Sequence, residues 1–564
     1  MLACPGLVVS NVQYKQGGLR YTTTLSPRSE VSSKNRSNGL IDLSPVIGQE
    51  FFESGHAASS VLAFAQPTQM EIYAMRRLRF KLIVCFSLVL FCADGLRVLA
   101  TDGSAKMTFT TKSKEARSFF EQGIAKYDRA RPKEATALFQ QALEADPNFA
   151  MAHLFRGLAG DSVPHIRKAA EMAKKVTEPE RLFILSWKAQ VDSQLLKAAE
   201  QMEQAVQLLP AEARLRMRLA VLYNATNRRD EAVAELKRAI ASDPKFAPIY
   251  NLLGQIHITS GDFAQAIEAR ETYARLLPDE AEPYQALAHT YQQKQQFDKA
   301  VEYYTRALKI DPDYINVYRR RGDAKFFAGD IAGARADYRA GLERAKGADR
   351  PGLLFAAAFT YVHQGEIDEA AKYYEHAIAI AEAEKEHVMI SSGWDALGRS
   401  YLEAGRLIEA ANAYRKGYEA SRRAPDYSET DKLLWEGRYR HARGRILAKL
   451  GEFDAAMEHA EWIRLELQKA GNPNPAYMKS YHYMVGYILV EKRDFKGALE
   501  HLKQANTEDV FIKLLTARAH AGLNDRASAA KLMNEIAGYT LGSVPSSIAR
   551  PEALRWLSQN KTAP

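Results

Sequence analysis

From about residue 116 onward, apolar side chains recur every three or four positions in runs of about a dozen, separated by short polar breaks such as Asn227-Arg228-Arg229-Asp230 and Lys294-Gln295-Gln296. Residues at that spacing share one face of a helix, so the pattern predicts amphipathic helices joined in pairs by tight turns. The pairs recur at a fixed interval. Prolines at 210, 244, 278 and 312 stand 34 residues apart, and alanines at 198, 232, 266, 300 and 334 keep the same period. A constant period of this length marks a stacked array in which each unit buries its apolar face only against its neighbours.

Within one unit the spacing has a direct physical reading. Tyr284, Leu287, Ala288 and Tyr291 fall on one face of a first helix, and Ala300, Tyr304 and Ala307 on one face of a second. Small residues at Ala288 and Ala300 let the two backbones approach, the tyrosines fill the space beside them, and Pro312 ends the second helix because it has no N–H to donate.

The unit beginning at Ser391 carries Trp394, Leu397, Gly398, Tyr401, Ala410 and Tyr414. Residues of these types at these intervals resemble the tetratricopeptide repeat. The resemblance implies an all-α fold, a right-handed superhelical solenoid of about twelve antiparallel helix hairpins. Its units start near 116, 150, 179, 213, 247, 281, 315, 351, 391, 437, 479 and 510, within a repeat region spanning 116–543. Several units depart from the pattern: the second is short and lacks the large residue after Gly157, the fifth has Arg270 where an aromatic is usual, and the seventh has Gly341 in place of alanine. Extra residues around 385–390, 425–436 and 471–478 read as longer loops. In the remaining stretch, 544–564, Pro551 is expected to open a final helix bearing Ala553, Leu554, Trp556 and Leu557, which would cap the stack, followed by a short tail.

The first hundred residues differ in kind. Met75 is followed by Arg76, Arg77, Arg79 and Lys81, then by an uncharged run from Leu82 to Ala93 whose one polar side chain is Ser87. A basic stretch leading into a short apolar run reads as an export signal at 75–100, with Val98-Leu99-Ala100 placing the cut between Ala100 and Thr101. Asp94 and Arg97 interrupt the apolar run, which argues for cleavage over an uncleaved membrane anchor. Residues 1–74 show neither helix nor strand period and are expected to be disordered or untranslated, with synthesis starting at Met75. Residues 101–115 form a linker. The chain is therefore expected to be exported, to a bacterial periplasm or the medium.

Composition narrows function. The 77 basic and 68 acidic residues leave only a small positive excess spread over the array, which gives nucleic acid no concentrated basic face. All three cysteines, Cys4, Cys85 and Cys92, precede residue 101, so the repeats hold no thiol nucleophile or cysteine metal site. Phosphate-binding loops, nucleophile elbows and zincin motifs are absent from the sequence. His363 with Glu366, and Glu458-His459-Ala460-Glu461, read as solvated surface. No enzyme activity, catalytic residue, metal or cofactor is expected.

What remains is recognition. In the resembled family the inner face of the first helices forms a concave groove for extended peptides or partner helices. Carrying those positions over places Trp187 and Asn224 toward the N-terminal end, Asn251, Gln255, Gln285 and His289 in the middle, and Arg319, Asp323, Arg399, Arg438 and Arg445 beyond. Amides suit a peptide backbone and arginines suit carboxylates, so the expected partner is a protein or peptide, acidic or C-terminal. The expected function is a non-enzymatic scaffold outside the cytoplasm. The alternative is an accessory subunit of an envelope machine, such as polysaccharide export, with Trp187, Tyr483 and Tyr487 as candidate glycan contacts. Contact with a membrane is expected only through the N-terminal signal if uncleaved.

Overall fold

The structure, a computed structural model, describes residues 106–425, 427–469, 475–540 and 542–560, and among these there is no strand. Twelve helix hairpins and a final helix follow one another. They are α1 (Lys114–Asp128) with α2 (Pro132–Ala145), α3 (Ala150–Ala159) with α4 (Val163–Met172), α5 (Glu178–Val191) with α6 (Leu195–Leu208), and α7 (Ala213–Ala225) with α8 (Arg229–Ser242). Next come α9 (Pro248–Thr259) with α10 (Phe263–Leu276), α11 (Ala281–Gln293) with α12 (Phe297–Ile310), α13 (Ile315–Ala328) with α14 (Ile331–Arg344), and α15 (Arg350–Gln364) with α16 (Ile367–Ala383). The last are α17 (His387–Glu403) with α18 (Leu407–Arg423), α19 (Glu429–Leu450) with α20 (Phe453–Lys469), α21 (Pro475–Glu491) with α22 (Phe495–Leu502), and α23 (Val510–Gly522) with α24 (Arg526–Ala537), before α25 (Val544–Gln559). Together they form a right-handed superhelical solenoid, as the resemblance implies.

Every hairpin turns in the same way. One residue with positive φ follows the first helix and is succeeded at once by the first residue flanking the second: Ala130, Asp161, Ser193, Asn227, Gly261, Gln295, Gly329, Gly365, Gly405, Gly451, Arg493 and Asn524 hold the twelve positions. In several hairpins the next residue is an aspartate whose carboxylate accepts the N–H three residues on, as Asp330 does from Gly333 at 2.8 Å and Asp494 from Gly497 at 3.0 Å. The left-handed residue reverses the chain and the aspartate satisfies an orphan donor of the new helix.

In several hairpins a small residue of the first helix meets a large one sixteen positions later. Gly123 faces Phe139, Gly398 faces Tyr414 and Gly486 faces Leu502, each with ring or methyl atoms at or within about 3 Å of where a β-carbon would stand. The short second hairpin differs, for Gly157 is met by Ile166 instead, which explains how it packs without the missing large residue.

Two expectations are corrected. Of the extra residues, 387–390 and 429–436 lengthen helices rather than forming loops: α17 begins at His387, and α19 begins at Glu429, where Ser428 and Asp431 cap each other's backbone N–H groups. Of the third stretch, 475–478 already belong to α21, and 471–474 lie outside the described residues. The final helix starts at Val544, not Pro551, because Ser543 accepts from the Ser546 N–H at 3.2 Å and founds the first turn; Pro551 lies inside it.

The solenoid winds tightly enough for distant units to touch. Both Nη atoms of Arg214 reach the Asp128 carboxylate at 2.9 and 2.7 Å, and Glu280 takes Arg129 at 2.7 Å and Arg131 at 2.8 Å. A segment before α1 lies across the same region, Thr110 donating to Glu180 through its N–H at 2.8 Å and Met107 N–H to Glu212 at 3.0 Å. At the other end α25 packs on α23 and α24 and also folds back against α15 and α17. Val544 and Ile548 join Phe355 and Phe359 in one apolar cluster, and Arg550 donates to the Phe327 carbonyl at 3.1 Å. So α25 both continues the stack and covers part of its inner face.

Candidate ligand groove

The first helix of each hairpin lines the inner face, and the predicted groove residues fall into three groups along it. At the N-terminal end Trp187 is buried on α5 beneath Arg218 of α7, whose guanidinium lies 3.5 Å above the indole. Arg218 donates to Gln190 at 2.6 Å and to the Ser186 carbonyl at 3.3 Å, and burial pushes it down to about 9. Asn224 is half-buried about three turns along α7 from its start.

In the middle, Asn251 of α9 donates to Glu282 of α11 at 3.2 Å, and Gln255 accepts from Arg270 of α10 at 3.1 Å. Arg270 is fully buried and also donates to the Ala286 carbonyl. Burial raises the Glu282 carboxyl to about 7, with Tyr273, Arg270 and Asn251 opposing the rise. One turn and two turns further along α11 stand Gln285 and His289. The Gln285 Nε2 and the His289 Nδ1 are sealed from solvent without a hydrogen-bond partner, as is the Trp187 Nε1. Burial, then Arg320 and Arg270, hold His289 well below its ordinary range, so it is neutral.

Beyond the middle, Arg319 and Asp323 pair with each other across one turn of α13 at 2.9 Å, and Tyr338 donates to the same aspartate at 2.9 Å. Arg399 of α17 donates to the Tyr483 hydroxyl at 3.0 Å and lies 4.6 Å above the Phe511 ring, while Arg445 of α19 donates to the Tyr414 hydroxyl at 3.1 Å. Arg438 is exposed and stacks on Trp435 at 4.7 Å, beside a cleft lined by Asp395, Tyr414, Tyr418 and Tyr439. The structure thus joins Asn251 to Glu282 and Gln255 to Arg270, with Gln285 and His289 on the same helix as Glu282, gathers Arg399 and Arg445 around Tyr483, and leaves Trp187 and the Arg319–Asp323 pair apart. Tyr487, a candidate glycan contact, is fully buried and donates to Glu403 at 3.3 Å.

Sequence reasoning did not name Glu282. Glu282 was within reach, since it stands at the second position of its unit, the position that the family's groove pattern uses. Among the described residues no group of three or more His, Cys, Asp and Glu side chains could hold a metal ion, and no helix is long and apolar enough to cross a membrane. The signal segment, Ala100 and Thr101 lie outside the described residues.

Family models of the tetratricopeptide repeat match residues 120–161, 192–256, 247–276, 281–314 and 353–423. These stretches are tetratricopeptide repeats. The repeat array is similar to protein O-mannosyl-transferase TMTC1 of Mus musculus, 28% identical over 142 residues covering 24% of this chain and 15% of that protein. It is also similar to superkiller complex protein 3 of Mus musculus, 23% identical over 191 residues covering 32% and 12%. The chain spans only those small fractions of the relatives it matches. Among solved structures, the repeats overlay a tetratricopeptide repeat protein of Parabacteroides merdae, with 14% identity, 50% of this chain and 99% of that one covered, and TM-score 0.31. They also overlay YrrB, described as a TPR protein with an unusual peptide-binding site, with 19% identity, 34% and 96% covered, and TM-score 0.27.

Proposed function

We propose that this protein is a non-enzymatic scaffold that holds an extended peptide segment of a partner protein against the inner face of its first helices. The observation that carries the reading is the set of Trp187 Nε1, Gln285 Nε2 and His289 Nδ1, polar atoms on the inner face that are withdrawn from water and have no partner within the chain. Buried polar atoms are nearly always satisfied, and a peptide backbone supplies both donors and acceptors at the spacing of successive helices. Arg319 and Asp323, already paired, add a polar margin, and Asn224, Asn251 and Gln255 continue the amide-rich row. An acidic or C-terminal segment would meet Arg438, the predicted arginine that stays exposed.

The setting we propose is outside the cytoplasm, on the strength of the basic and apolar segment from Met75 to Ala93 and the small residues before Thr101. N-terminal sequencing of the mature protein checks this: a start at Thr101 supports export, and an intact Met75 segment in the soluble cytoplasmic fraction refutes it.

The groove is tested by crosslinking the full chain in its native host and comparing wild type with Gln285→Ala combined with His289→Ala. A partner lost from the variant, whose helical content by circular dichroism stays unchanged, supports the reading. A partner retained at equal yield refutes it. A second reading, a glycan-contacting subunit of an envelope machine, is favoured by the cleft of Tyr414, Tyr418, Trp435 and Tyr439 beside Arg438 and Asp395, since sugar rings pack on aromatic faces. Oligosaccharide binding that Trp435→Ala abolishes would select it.

A further inference from the structure

Around Tyr483 the inner face of the C-terminal repeats gathers more hydrogen-bond donors than the chain satisfies. Arg445 is only 5% exposed and His441 7%, and they stand one turn apart on α19. Arg445 makes a single side-chain hydrogen bond, from Nη2 to Tyr414; its Nε and Nη1 are buried and have no partner. Arg399 bonds Tyr483 through Nη2 while its own Nε is buried and unpartnered. The His441 ring lies 4.7 Å from the Tyr483 ring, and its Nε2 is also buried without a partner.

Among the described residues no carboxylate comes within ion-pair distance of either arginine, although three are near. Glu403 accepts from Tyr487 at 3.3 Å, Asp509 accepts the Phe511 and Ile512 N–H groups of the α23 first turn, and Asp395 lies in the cleft with Arg438. A guanidinium has donors only and cannot be neutralised by losing its proton at ordinary pH. Leaving two of them buried with open donors is costly unless an acceptor fills the gap. The contrast within this chain is direct: Arg214 has the Asp128 carboxylate on both Nη atoms, and Arg518 has both oxygens of Glu552 at 2.7 and 2.5 Å.

We propose that Arg399, Arg445 and His441 form a binding site for a small oxyanion, a phosphate, sulfate or carboxylate group, enclosed between α17, α19, α21 and α23. The open donors are one Nε–H from each arginine, the Nη1 group of Arg445, and the His441 Nε2–H in the tautomer that carries the proton there. Burial, then Arg445 and Arg399, keep His441 neutral, so the site offers two positive charges and a neutral donor. Tyr483 above and Phe511 beside Arg399 close the site to a polypeptide strand. The way in is the cleft at Tyr414, whose hydroxyl already touches Arg445. The site is separate from the proposed peptide row on α5, α7, α9 and α11 and does not rest on it.

The test uses the full chain with inorganic phosphate as the probe, titrated by calorimetry at constant ionic strength set with sodium chloride. Wild type should bind phosphate saturably, at about one per chain, with a matching rise in unfolding temperature. Arg445→Met should weaken binding at least tenfold, as loss of a charge-assisted fork requires. It should also unfold no earlier than wild type in phosphate-free buffer, because an uncompensated buried cation is gone. Arg443→Met, an exposed neighbour on the same helix, should leave the affinity unchanged. Acetate run in parallel separates the sources: tighter acetate than phosphate identifies a carboxylate ligand, tighter phosphate a phosphate-type ligand. Should Arg445→Met misfold, Arg399→Met with the same readout replaces it. Equal phosphate binding by wild type and either variant, or no binding by wild type at millimolar phosphate, overturns the site.

Discussion

Arg270 packs its side-chain stem on Gly254, with its Cγ 2.7 Å from the place a β-carbon would occupy. The same relation, sixteen residues apart, joins Gly123 to Phe139, Gly322 to Tyr338 and Gly398 to Tyr414. The arginine therefore fills the aromatic position of its unit, using its methylenes for packing and turning its guanidinium inward to Gln255 and the Ala286 carbonyl. A β-carbon at Gly123 would meet Cε1 of Phe139 at 2.5 Å, and that ring is fully buried among Phe120, Tyr127 and Phe155, so it has nowhere to move. Gly123→Ala is expected to destabilise the first hairpin by about 1–3 kcal/mol, and Gly123→Ala with Phe139→Leu to recover part of that loss. Urea unfolding followed by circular dichroism measures both; equal midpoints for wild type and the single variant would contradict the packing described.

Glu282 makes stability depend on pH. Its carboxyl titrates near 7 in the fold against 4.5 when unfolded, and Arg270, Tyr273 and Asn251 face it. Between those values the folded chain keeps a proton that the unfolded chain has lost, so stability falls as pH rises through the window and is level above it. The full drop is about 3 kcal/mol for a shift of this size. Glu282→Gln keeps the shape and removes the titration, so the variant should gain on wild type between pH 5 and pH 8. His363 acts in the opposite sense: burial lowers it to about 4, so its contribution is lost as pH falls below the ordinary histidine range. Unfolding temperatures of wild type and Glu282→Gln across pH 5–8 check the sign, and parallel curves would rule out Glu282 as the source.

Ala130 holds a left-handed backbone, φ 60°, at the turn of the first hairpin, where five other hairpins have glycine. An alanine there carries a strain of about 1 kcal/mol that glycine lacks. Ala130→Gly should raise stability by somewhat less than that, since glycine also gains freedom in the unfolded chain. A lower unfolding midpoint for the variant would show that the turn is not strained at Ala130.

How far the sequence could be read follows from the range over which each feature acts. The sixteen-residue pairing and the 34-residue period are local, so the hairpins, their number and the odd residue Arg270 were legible in the residues themselves. The lengthening of α19 was missed because Ser428 and Asp431 found a helix inside a stretch that lacks the repeat's residues. In the same way Ser543 starts α25 ahead of Pro551. The inward direction of Arg399 and Arg445 followed from the family pattern, whereas their enclosure depends on Tyr483 and Phe511, which are 84 and 112 positions from Arg399 in sequence. Such ties leave no periodic trace, and the same is true of α25 folding back on α15 and α17.

Glu280 is the clearest of these long ties. It is buried, it precedes α11, and its two oxygens hold Arg129 and Arg131 from the first hairpin, about 150 residues earlier. Each helix stack can flex at its joints, so contacts between successive turns of the superhelix set its pitch. Arg129 and Arg131 are themselves nearly half exposed, and solvent would stabilise them once released, so Glu280→Ala should lower global stability only modestly, about 1 kcal/mol. Its larger effect should be on shape and local opening. Small-angle scattering is expected to show a longer particle with unchanged helical content, and amide exchange should speed up in the α1–α2 turn while the hairpins of α15 to α18 stay as protected as in wild type. High salt should move wild type toward the variant, because the tie is partly exposed and screened. If scattering and exchange match wild type at low salt, the winding is held by the apolar contacts between units and by Arg214 with Asp128, and Glu280 is not what closes the turn.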